Sequence, residues 1–307
     1  MFVRQSLIAA KSMKRKSFKF VRMTIREASL RLLQTLGKEY DPREARNIAD
    51  WVMEHLTGQK KIDRLLRQDD ELDAALEDRL SGFALALASH RPVQYVLGEA
   101  WFCGMPFFVN EYVLIPRPET EELVQWVLDD CATGAPVLIL DAGTGSGCIA
   151  IALQKALPAA AVAGCDISKA ALEVAERNAN TLQAPVRFFP ADLLDQHCWP
   201  SISKVDILVS NPPYIPRKEQ SLMRQNVIQY EPWQALFVDD DDPLVFYRAL
   251  AGLGRHRLTP GGRVYAETHE DLAEATADEF RKQGYDAVEI KQDMQGKNRM
   301  VRALLHP

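Results

Sequence analysis

The stretch whose residue types point most directly to chemistry is Asn211-Pro212-Pro213-Tyr214, called the tetrad below. An asparagine side-chain oxygen and a carbonyl fixed by a proline can each accept a hydrogen bond from a planar –NH2 group. Two such bonds localise the lone pair of that nitrogen and favour the charge that develops when it attacks an electrophile. Tyr214 adds a flat face on which a planar amide or a base could lie. The alternative is a plain exit from a strand, because two consecutive prolines end a sheet ladder.

A glycine-rich turn is the second candidate site. It follows the apolar stretch Val137–Leu140, reads Asp141-x-Gly143-Thr144-Gly145-Ser146-Gly147, and leads into a predicted helix at residues 149–153. Such a turn lets the backbone approach a ligand closely at a helix N-terminus. It departs from the dinucleotide fingerprint G-x-G-x-x-G, because Cys148 occupies the third glycine position. With an aspartate in front, the turn instead resembles motif I of the S-adenosylmethionine-dependent methyltransferases.

Two further strand ends carry acidic residues. Asp166 ends the predicted strand Ala161–Cys165, where a carboxylate can accept both hydroxyls of a ribose; it could equally cap the helix that follows. Asp192, followed by Leu193, ends the third predicted strand, where such folds place a carboxylate or its backbone near an adenine amino group. The tetrad directly follows the fourth predicted strand, Val205–Ser210. Because ligands of open α/β sheets bind outside the carboxyl ends of the strands, we expect the four sites to converge.

The elements that must position these residues are of two kinds. Apolar residues recur at helical spacing from residue 24 to about 89, whereas strands and helices alternate from residue 136 onward. Between them, aromatic and β-branched residues interrupted by glycines predict a hairpin from Arg91 to Val109. We predict an α/β fold, a Rossmann-like seven-stranded methyltransferase sheet with a small N-terminal helical domain and a β-hairpin linker. The predicted segments are a basic extension with little packed structure (1–22), the helical domain (23–90), the linker (91–117) and the methyltransferase domain (118–307).

Three features leave alternatives open. Arg117 lies in a proline-rich stretch and Glu119 begins the predicted helix that follows it; the two could be ion-pair partners or could border the cofactor. Residues 215–242 form a long insertion, which is usually functional when it interrupts a compact domain. The helical domain could be a packing module or could dock a substrate.

Charge and composition disfavour several function classes. The formal net charge is −5, yet residues 1–22 hold seven basic residues and no acidic one, so the remainder is acidic and unsuited to general nucleic-acid binding. The five scattered cysteines and six histidines form no ligand pair, which predicts reduced, cytosolic thiols and no metal. No apolar run approaches the ~18 residues of a membrane span. We expect a cytoplasmic monomer whose first 22 residues are a translated upstream extension rather than a transit peptide, since Met23 and Thr24 look like a natural beginning.

Several motifs taken together resemble the HemK-type protein-(glutamine-N5) methyltransferases. Besides the glycine turn and the tetrad, they are Arg91-Pro92-x-Gln94-Tyr95, Gly98-x-x-x-Phe102, Leu114-Ile115-Pro116-Arg117-Pro118-Glu119-Thr120-Glu121, Glu231-Pro232-x-x-Ala235-Leu236 and Gly261-Gly262. The intact Arg117–Glu121 run resembles the branch that acts on peptide chain release factors more than the branch that acts on a ribosomal protein. One departure is Leu193, where some relatives have a tryptophan against the adenine.

The resemblance implies S-adenosylmethionine as cofactor and, as substrate, the glutamine of a Gly-Gly-Gln loop in a release factor that docks on the helical domain. It implies catalysis of methyl transfer to the amide nitrogen by Asn211, Pro212, Pro213 and Tyr214. The cofactor-binding residues it implies are Gly143, Thr144, Gly145, Ser146, Gly147, Asp166, Asp192, Leu193 and Asn211.

Rival functions also fit parts of the sequence. One is methylation of a glutamine in a ribosomal protein, and another is methylation of a base amino group, which is also planar. A non-catalytic cofactor-binding module would need the glycine turn and not the tetrad. A nicotinamide oxidoreductase is disfavoured by Cys148.

Overall fold

The structure, a computed structural model, describes residues 22–131 and 136–306. The predicted basic extension lies outside these ranges except for Arg22. The chain forms two compact units that meet in sequence between Leu85 and Ala86. Within the described ranges, no helix combines the length and the apolar character needed to cross a membrane.

The N-terminal unit is helical, and side chains cap the starts of its first two helices. Its helices are α1 (Ile25–Leu36), α2 (Pro42–Thr57), α3 (Lys61–Leu66) and α4 (Ala74–Ala88), the last of which reaches the boundary of the unit. Thr24 and Glu27 form a capping box at the start of α1. Asp41 accepts hydrogen bonds from two backbone N–H groups at the start of α2, directly before Pro42. The apolar faces of α1 and α2, including Leu32 and Val52, are fully buried.

The larger unit alternates helices and strands. Its helices are α5 (Val93–Leu97), α6 (Pro118–Asp130), α7 (Cys148–Ala156), α8 (Lys169–Leu182), α9 (Gln225–Tyr230), α10 (Trp233–Leu236), α11 (Val245–Arg257) and α12 (Ala273–Lys282). Its strands are β1 (Ala100–Phe102), β2 (Met105–Phe107), β3 (Leu138–Ala142), β4 (Ala161–Asp166), β5 (Arg187–Pro190), β6 (Val205–Ser210), β7 (Ile215–Pro216), β8 (Phe237–Val238), β9 (Leu258–Glu267), β10 (Tyr285–Gln292) and β11 (Asn298–Leu305).

Seven of these strands form one mixed sheet, in the order β10-β11-β9-β6-β3-β4-β5. Neighbours from β9 to β5 are parallel, and β11 is antiparallel to both β9 and β10. The prediction of an α/β fold with a seven-stranded sheet is confirmed. Because β3, β4, β5, β6 and β9 point the same way, their carboxyl ends all lie at one edge of the sheet.

Two apolar layers cover the sheet. Successive residues of a strand face opposite sides, so that Ile139 packs in a cluster with Ile149 of α7, whereas Leu140 packs in a cluster with Tyr247 of α11. Strands covered on both faces read as continuous apolar runs, which is why β3 and β6 are recognisable in the sequence. The layers hold the strand ends at fixed spacing.

The predicted hairpin is shorter than expected. β1 and β2 pair in antiparallel fashion, but residues 93–97 form the helix α5, so the prediction of extended structure there is wrong. The Pro92 carbonyl accepts hydrogen bonds from the N–H groups of Tyr95 and Val96, both at 3.0 Å, and so starts a helical turn. Gly98, with a φ of 67°, then ends it. Burial of the Tyr95 side chain, whose hydroxyl donates to the Val113 carbonyl, overrides the β propensity of this stretch.

Candidate active site

The glycine turn connects β3 to α7 and is held by a buried carboxylate. Asp141, fully buried at the end of β3, accepts hydrogen bonds from the Thr144 hydroxyl at 2.6 Å and from the Ala150 N–H at 3.2 Å. Burial raises the pKa of Asp141 to about 7. The N–H groups of Gly143 and Thr144 donate to the Cys165 carbonyl, each at 2.9 Å. The turn is therefore tied both to the helix it enters and to the neighbouring strand β4.

Gly147 has a packing role in this turn. It caps α7 with a φ of 80°, and a Cβ atom at this position would lie 3.1–3.2 Å from side-chain atoms of Ala175, Ile151 and Phe188. A side chain here would meet both backbone strain and steric crowding. The structure does not place Gly147 in the lining of the cavity described below.

Asp166 ends β4 beside the glycine turn. Its two carboxylate oxygens accept one hydrogen bond each, from the N–H groups of Ser168 and Gly145, both at 2.9 Å. Ser168 is the residue that caps α8, so the cap and the acidic residue are separate here. Burial raises the pKa of Asp166, and hydrogen bonds from the N–H groups of Ser168, Gly145 and Ile167 oppose that shift. Because each carboxylate oxygen has two lone pairs, Asp166 keeps acceptor capacity for a ligand.

The segment after β5 carries Asp192 and Leu193. Ala191 donates its N–H to the Asp166 carbonyl at 3.1 Å, which brings this segment against the end of β4. Asp192 accepts from the Leu194 N–H at 2.8 Å through one oxygen. Both Asp192 and Leu193 are partly exposed and line the cavity.

The tetrad follows β6 and is tied to β3. The Ser210 hydroxyl donates to the Ala142 carbonyl at 2.6 Å, so the last residues of the two neighbouring strands are linked. Asn211 donates from Nδ2 to the Thr120 hydroxyl oxygen at 3.1 Å. Its Oδ1 atom is buried and accepts no hydrogen bond from the described residues. A buried acceptor without a partner is costly, which points to a ligand donor at this atom.

Tyr214 is the last residue of the tetrad. Its hydroxyl donates to Glu267 Oε1 at 3.1 Å and its ring meets the edge of His269 at 6.3 Å between centroids. It is not among the residues that line the cavity. The expected packing of Tyr214 on a substrate amide stays a prediction.

A buried carboxylate connects the tetrad to α6. Glu267, 1% exposed at the end of β9, accepts from the Thr120 hydroxyl at 2.6 Å and from the Tyr214 hydroxyl. Burial raises the pKa of Glu267, and the positive charge of Arg299 partly offsets this. The chain of hydrogen bonds Asn211–Thr120–Glu267–Tyr214 thus joins three separate elements.

One cavity of about 380 Å3 joins these parts, a size typical of small-molecule sites. From the predicted site, its lining includes Gly143, Thr144, Gly145, Ser146, Asp166, Asp192, Leu193, Asn211, Pro212 and Pro213. Leu194, Phe237 and Phe246 add apolar surface. The glycine turn and the tetrad therefore face a common space.

Comparisons with known proteins agree on one family. Residues 123–234 match the model of the methyltransferase small domain, and residues 26–98 match that of the PrmC N-terminal domain. The release factor glutamine methyltransferase of Flavobacterium psychrophilum is 37% identical over 91% of this chain and 99% of its own length. That of Bacteroides thetaiotaomicron is 39% identical over 88% and 96%. The chain belongs to the release factor glutamine methyltransferases.

A solved structure shares the fold of this family member at low sequence identity. The hMettl16 catalytic domain, solved in complex with the MAT2A 3'UTR hairpin 6, has a TM-score of 0.51 and 17% identity, over 75% of this chain and 82% of its own. At that identity the likeness shows the fold alone.

The cofactor of this release factor glutamine methyltransferase is S-adenosylmethionine, and the lining of the cavity fits it. Asp166 has acceptor positions left for ribose hydroxyls, and Leu193 offers apolar surface for a base. Asn211 lines the same cavity, and its buried Oδ1, which has no partner among the described residues, is suited to a planar nitrogen rather than to the cofactor alone.

Sequence reasoning gave no role to Thr120 or Glu267. Thr120 was visible only as part of the Arg117–Glu121 run. Glu267 is an acidic residue at the carboxyl end of a strand, as Asp166 is, and that position could have drawn attention to it.

Arg117 pairs with a residue of the insertion and not with Glu119. Its guanidinium donates to Glu231 at 2.6 Å, and Glu231 also accepts from the Ile115 N–H at 3.3 Å. The Glu231 side chain is 1% exposed. Glu119 instead accepts from Gln295. Arg117 also lines the cavity, so this ion pair fixes the insertion against one wall of the site.

Proposed function

We propose that this protein transfers a methyl group from S-adenosylmethionine to the side-chain amide nitrogen (N5) of the glutamine in the Gly-Gly-Gln motif of peptide chain release factors. The observation that carries the proposal is the buried Oδ1 of Asn211. This atom has no partner among the described residues, and Asn211 lines the same cavity as Asp166 and the glycine turn. An acceptor in that place binds an N–H group of the substrate at the side of the cofactor.

The tetrad binds and orients the substrate amide. Asn211 Oδ1 and the Pro212 carbonyl accept the two N–H bonds of the amide, which localises the lone pair of its nitrogen and favours its attack. The cofactor supplies a methyl group on a positively charged sulfur. No side chain needs to be a strong base, because the methylated nitrogen can lose its extra proton after the transfer. Positioning of the two reactants accounts for most of the rate.

The other side of the cavity holds the cofactor. Asp166 accepts the ribose hydroxyls, the segment Asp192–Leu193 contacts the base, and the turn from Gly143 to Ser146 provides close backbone approach. Phe237 and Phe246 add apolar surface to the same space, which we expect to limit water there once the ligands are bound. A dry site strengthens the hydrogen bonds that the tetrad makes to the substrate.

The N-terminal unit docks the release factor. On α3, Ile62, Leu65 and Leu66 are 56–80% exposed, an apolar surface suited to a protein partner. Leu65→Glu with Leu66→Glu should raise the KM for the release factor and leave the affinity for cofactor unchanged. An unchanged KM would contradict docking at α3.

Transfer of labelled methyl from S-adenosylmethionine tests the function. The purified protein should label a release factor, and replacement of the Gly-Gly-Gln glutamine by alanine in that factor should abolish the labelling. Ribosomal proteins and total nucleic acid serve as competing substrates. Labelling of either one, with none of the release factor, would refute the proposal.

A further inference from the structure

The Asn211 side chain can present either of two faces to the cavity. A rotation of 180° about its last bond exchanges the acceptor Oδ1 for the donor Nδ2 in nearly the same volume. Only the orientation with Oδ1 toward the cavity can accept an N–H of the substrate. The neighbouring protein groups must select this orientation.

The direct neighbour does not select it alone. Nδ2 of Asn211 lies 3.1 Å from the Thr120 hydroxyl oxygen, and a hydroxyl can donate or accept. If Thr120 donated its proton to Asn211, the amide oxygen would have to face Thr120. The direction of the Thr120 proton therefore decides which face Asn211 shows to the cavity.

Glu267 sets that direction. A carboxylate has no proton to give, and this one accepts from Thr120 at 2.6 Å and from Tyr214 at 3.1 Å. Since Thr120 has a single hydroxyl proton and donates it to Glu267, it can only accept from Asn211. The side chain of Glu267 is buried, and Arg299 provides the charge that favours its ionised form. Arg299 is itself held by Asp293, its Nε donating to that carboxylate at 3.2 Å.

We propose that Glu267 and Thr120 are positioning residues that fix the orientation of the Asn211 amide, so that its oxygen faces the substrate nitrogen. The inference rests on the proposed function of the tetrad. Glu267 acts through Thr120 and touches neither substrate nor cofactor. When the relay is broken, Asn211 also adopts the orientation in which its NH2 group meets the NH2 group of the substrate, and that orientation is inactive.

Removal of the Thr120 hydroxyl tests the relay. Thr120→Val keeps the shape of the side chain, and kcat should fall about tenfold or more, because misoriented catalytic groups cost rate rather than cofactor affinity. Thr120→Ser restores the hydroxyl and should keep kcat within about twofold of wild type. The dissociation constant of S-adenosylmethionine, measured by calorimetry, should be unchanged in both. Thr120→Ala provides a second variant without a hydroxyl should the valine variant not fold.

Thr276→Val is the matched control. Thr276 is also fully buried in this unit, and its hydroxyl pairs with that of Thr268 at 3.2 Å rather than with the tetrad. This variant loses a buried hydroxyl in the same way and should retain the wild-type kcat. A fall in kcat equal to that of Thr120→Val would mean that any such loss slows the enzyme, which overturns the inference.

A double-mutant cycle with Asn211→Ala separates action through Asn211 from other effects. Since Thr120 is proposed to act through the Asn211 amide, Thr120→Val should lower the residual rate no further once that amide is absent. The inference is overturned if Thr120→Val lowers kcat by the same factor with Asn211 and with Ala at position 211. It is also overturned if Thr120→Val alone keeps the wild-type kcat. A wild-type protein that does not label the release factor overturns the proposed function instead, and the inference with it.

Discussion

The glycine turn and the tetrad face the same cavity, but the hydrogen bonds that hold them connect residues at very different separations along the chain. In the turn, Asp141 bonds to Thr144 and Ala150, which are 3 and 9 residues away. At the tetrad, Asn211 bonds to Thr120 across 91 residues, and Thr120 bonds to Glu267 across 147. The glycine turn of the cofactor half is thus held mainly by local bonds, whereas the substrate half is assembled by the finished sheet.

This difference predicts which property of the enzyme a substitution in each region changes. Changes in the turn should affect cofactor affinity and folding, because the turn is one strand–helix connection with its own buried carboxylate. Changes at the tetrad should affect the rate, because its geometry comes from side chains on separate elements.

The largest effect is expected for Asn211→Ala. Loss of a preorganised hydrogen-bond acceptor should lower kcat by on the order of a hundredfold or more. The dissociation constant of the cofactor should stay near that of wild type, because the turn is untouched. Single-turnover methyl transfer to the release factor measures the first quantity and calorimetry the second. Near-normal turnover would refute the assigned role and remove the distinction between the halves.

Asp166→Ala should show the opposite pattern. Hydrogen bonds to a charged group contribute about 1.5–3 kcal/mol, so the dissociation constant of S-adenosylmethionine should rise by roughly tenfold or more. At saturating cofactor, kcat should change little. Asp195→Ala is the control, since Asp195 caps a neighbouring turn through the His197 N–H and does not line the cavity. Equal affinities for the two variants would show that Asp166 does not hold the cofactor.

Gly147→Ala should mainly lower stability. The alanine must adopt a φ of 80° and place its Cβ within 3.1 Å of Ala175, so the free energy of unfolding should fall by about 2 kcal/mol. Gly104→Ala separates the two causes, because Gly104 has a φ of 72° and no atom lies near its Cβ position. Denaturant titration should show a smaller loss for Gly104→Ala; equal losses would mean that packing at Gly147 is unimportant.

The smallest effect is expected from pH. Burial raises the pKa of Glu267, and the groups that face it are Thr120, Tyr214, Arg299, which lowers the pKa, and Glu119, which raises it. Protonated Glu267 has an O–H donor on one of its oxygens, so it no longer forces the Thr120 proton toward itself, and kcat should fall as the pH is lowered through this raised pKa, at most about tenfold per pH unit.

Glu267→Gln provides the comparison for that profile. Its amide does not titrate, so kcat should be lower than in wild type but should lose this acid-side fall. The stability contribution has the opposite sign: the folded state binds the proton of Glu267 more tightly than the unfolded chain, so stability from this group decreases as pH rises toward the raised pKa. If kcat of Glu267→Gln falls at low pH in the same way as kcat of the wild type, the fall is caused by another group.

The sequence predicted the fold and its strand–glycine turn–helix unit well because both are encoded over short stretches, whereas the cofactor role of the turn residues stays a prediction. The apolar run of β3, the aspartate and the glycines fall within a dozen residues, and alternation of strands and helices specified the seven-stranded sheet. The tetrad could also be recognised in the sequence, but the residues that hold it, Thr120 and Glu267, could not. Which acid meets Thr120 depends on the pairing of β9 with β6, and the sequence does not state it.

The same reason explains one open alternative and one wrong prediction elsewhere. Arg117 finds Glu231, 114 residues away, in place of Glu119 two residues along the chain. At residues 93–97, β propensity indicated extended structure, and burial of Tyr95 against the following loop produced a helical turn instead. Long-range side-chain partners decided both outcomes.

The Ser210 hydroxyl that joins the ends of β6 and β3 has a consequence for donor selectivity. It ties the start of the tetrad to the end of β3 at the spacing of adjacent strands, about 4.8 Å, so we expect the sheet to set the gap between the bound cofactor and the substrate amide. Synthetic donors bearing ethyl or allyl groups should therefore be poor alkylating agents here, because the gap cannot widen to admit them. The surfaces that bind protein substrates can change in sequence without changing this gap.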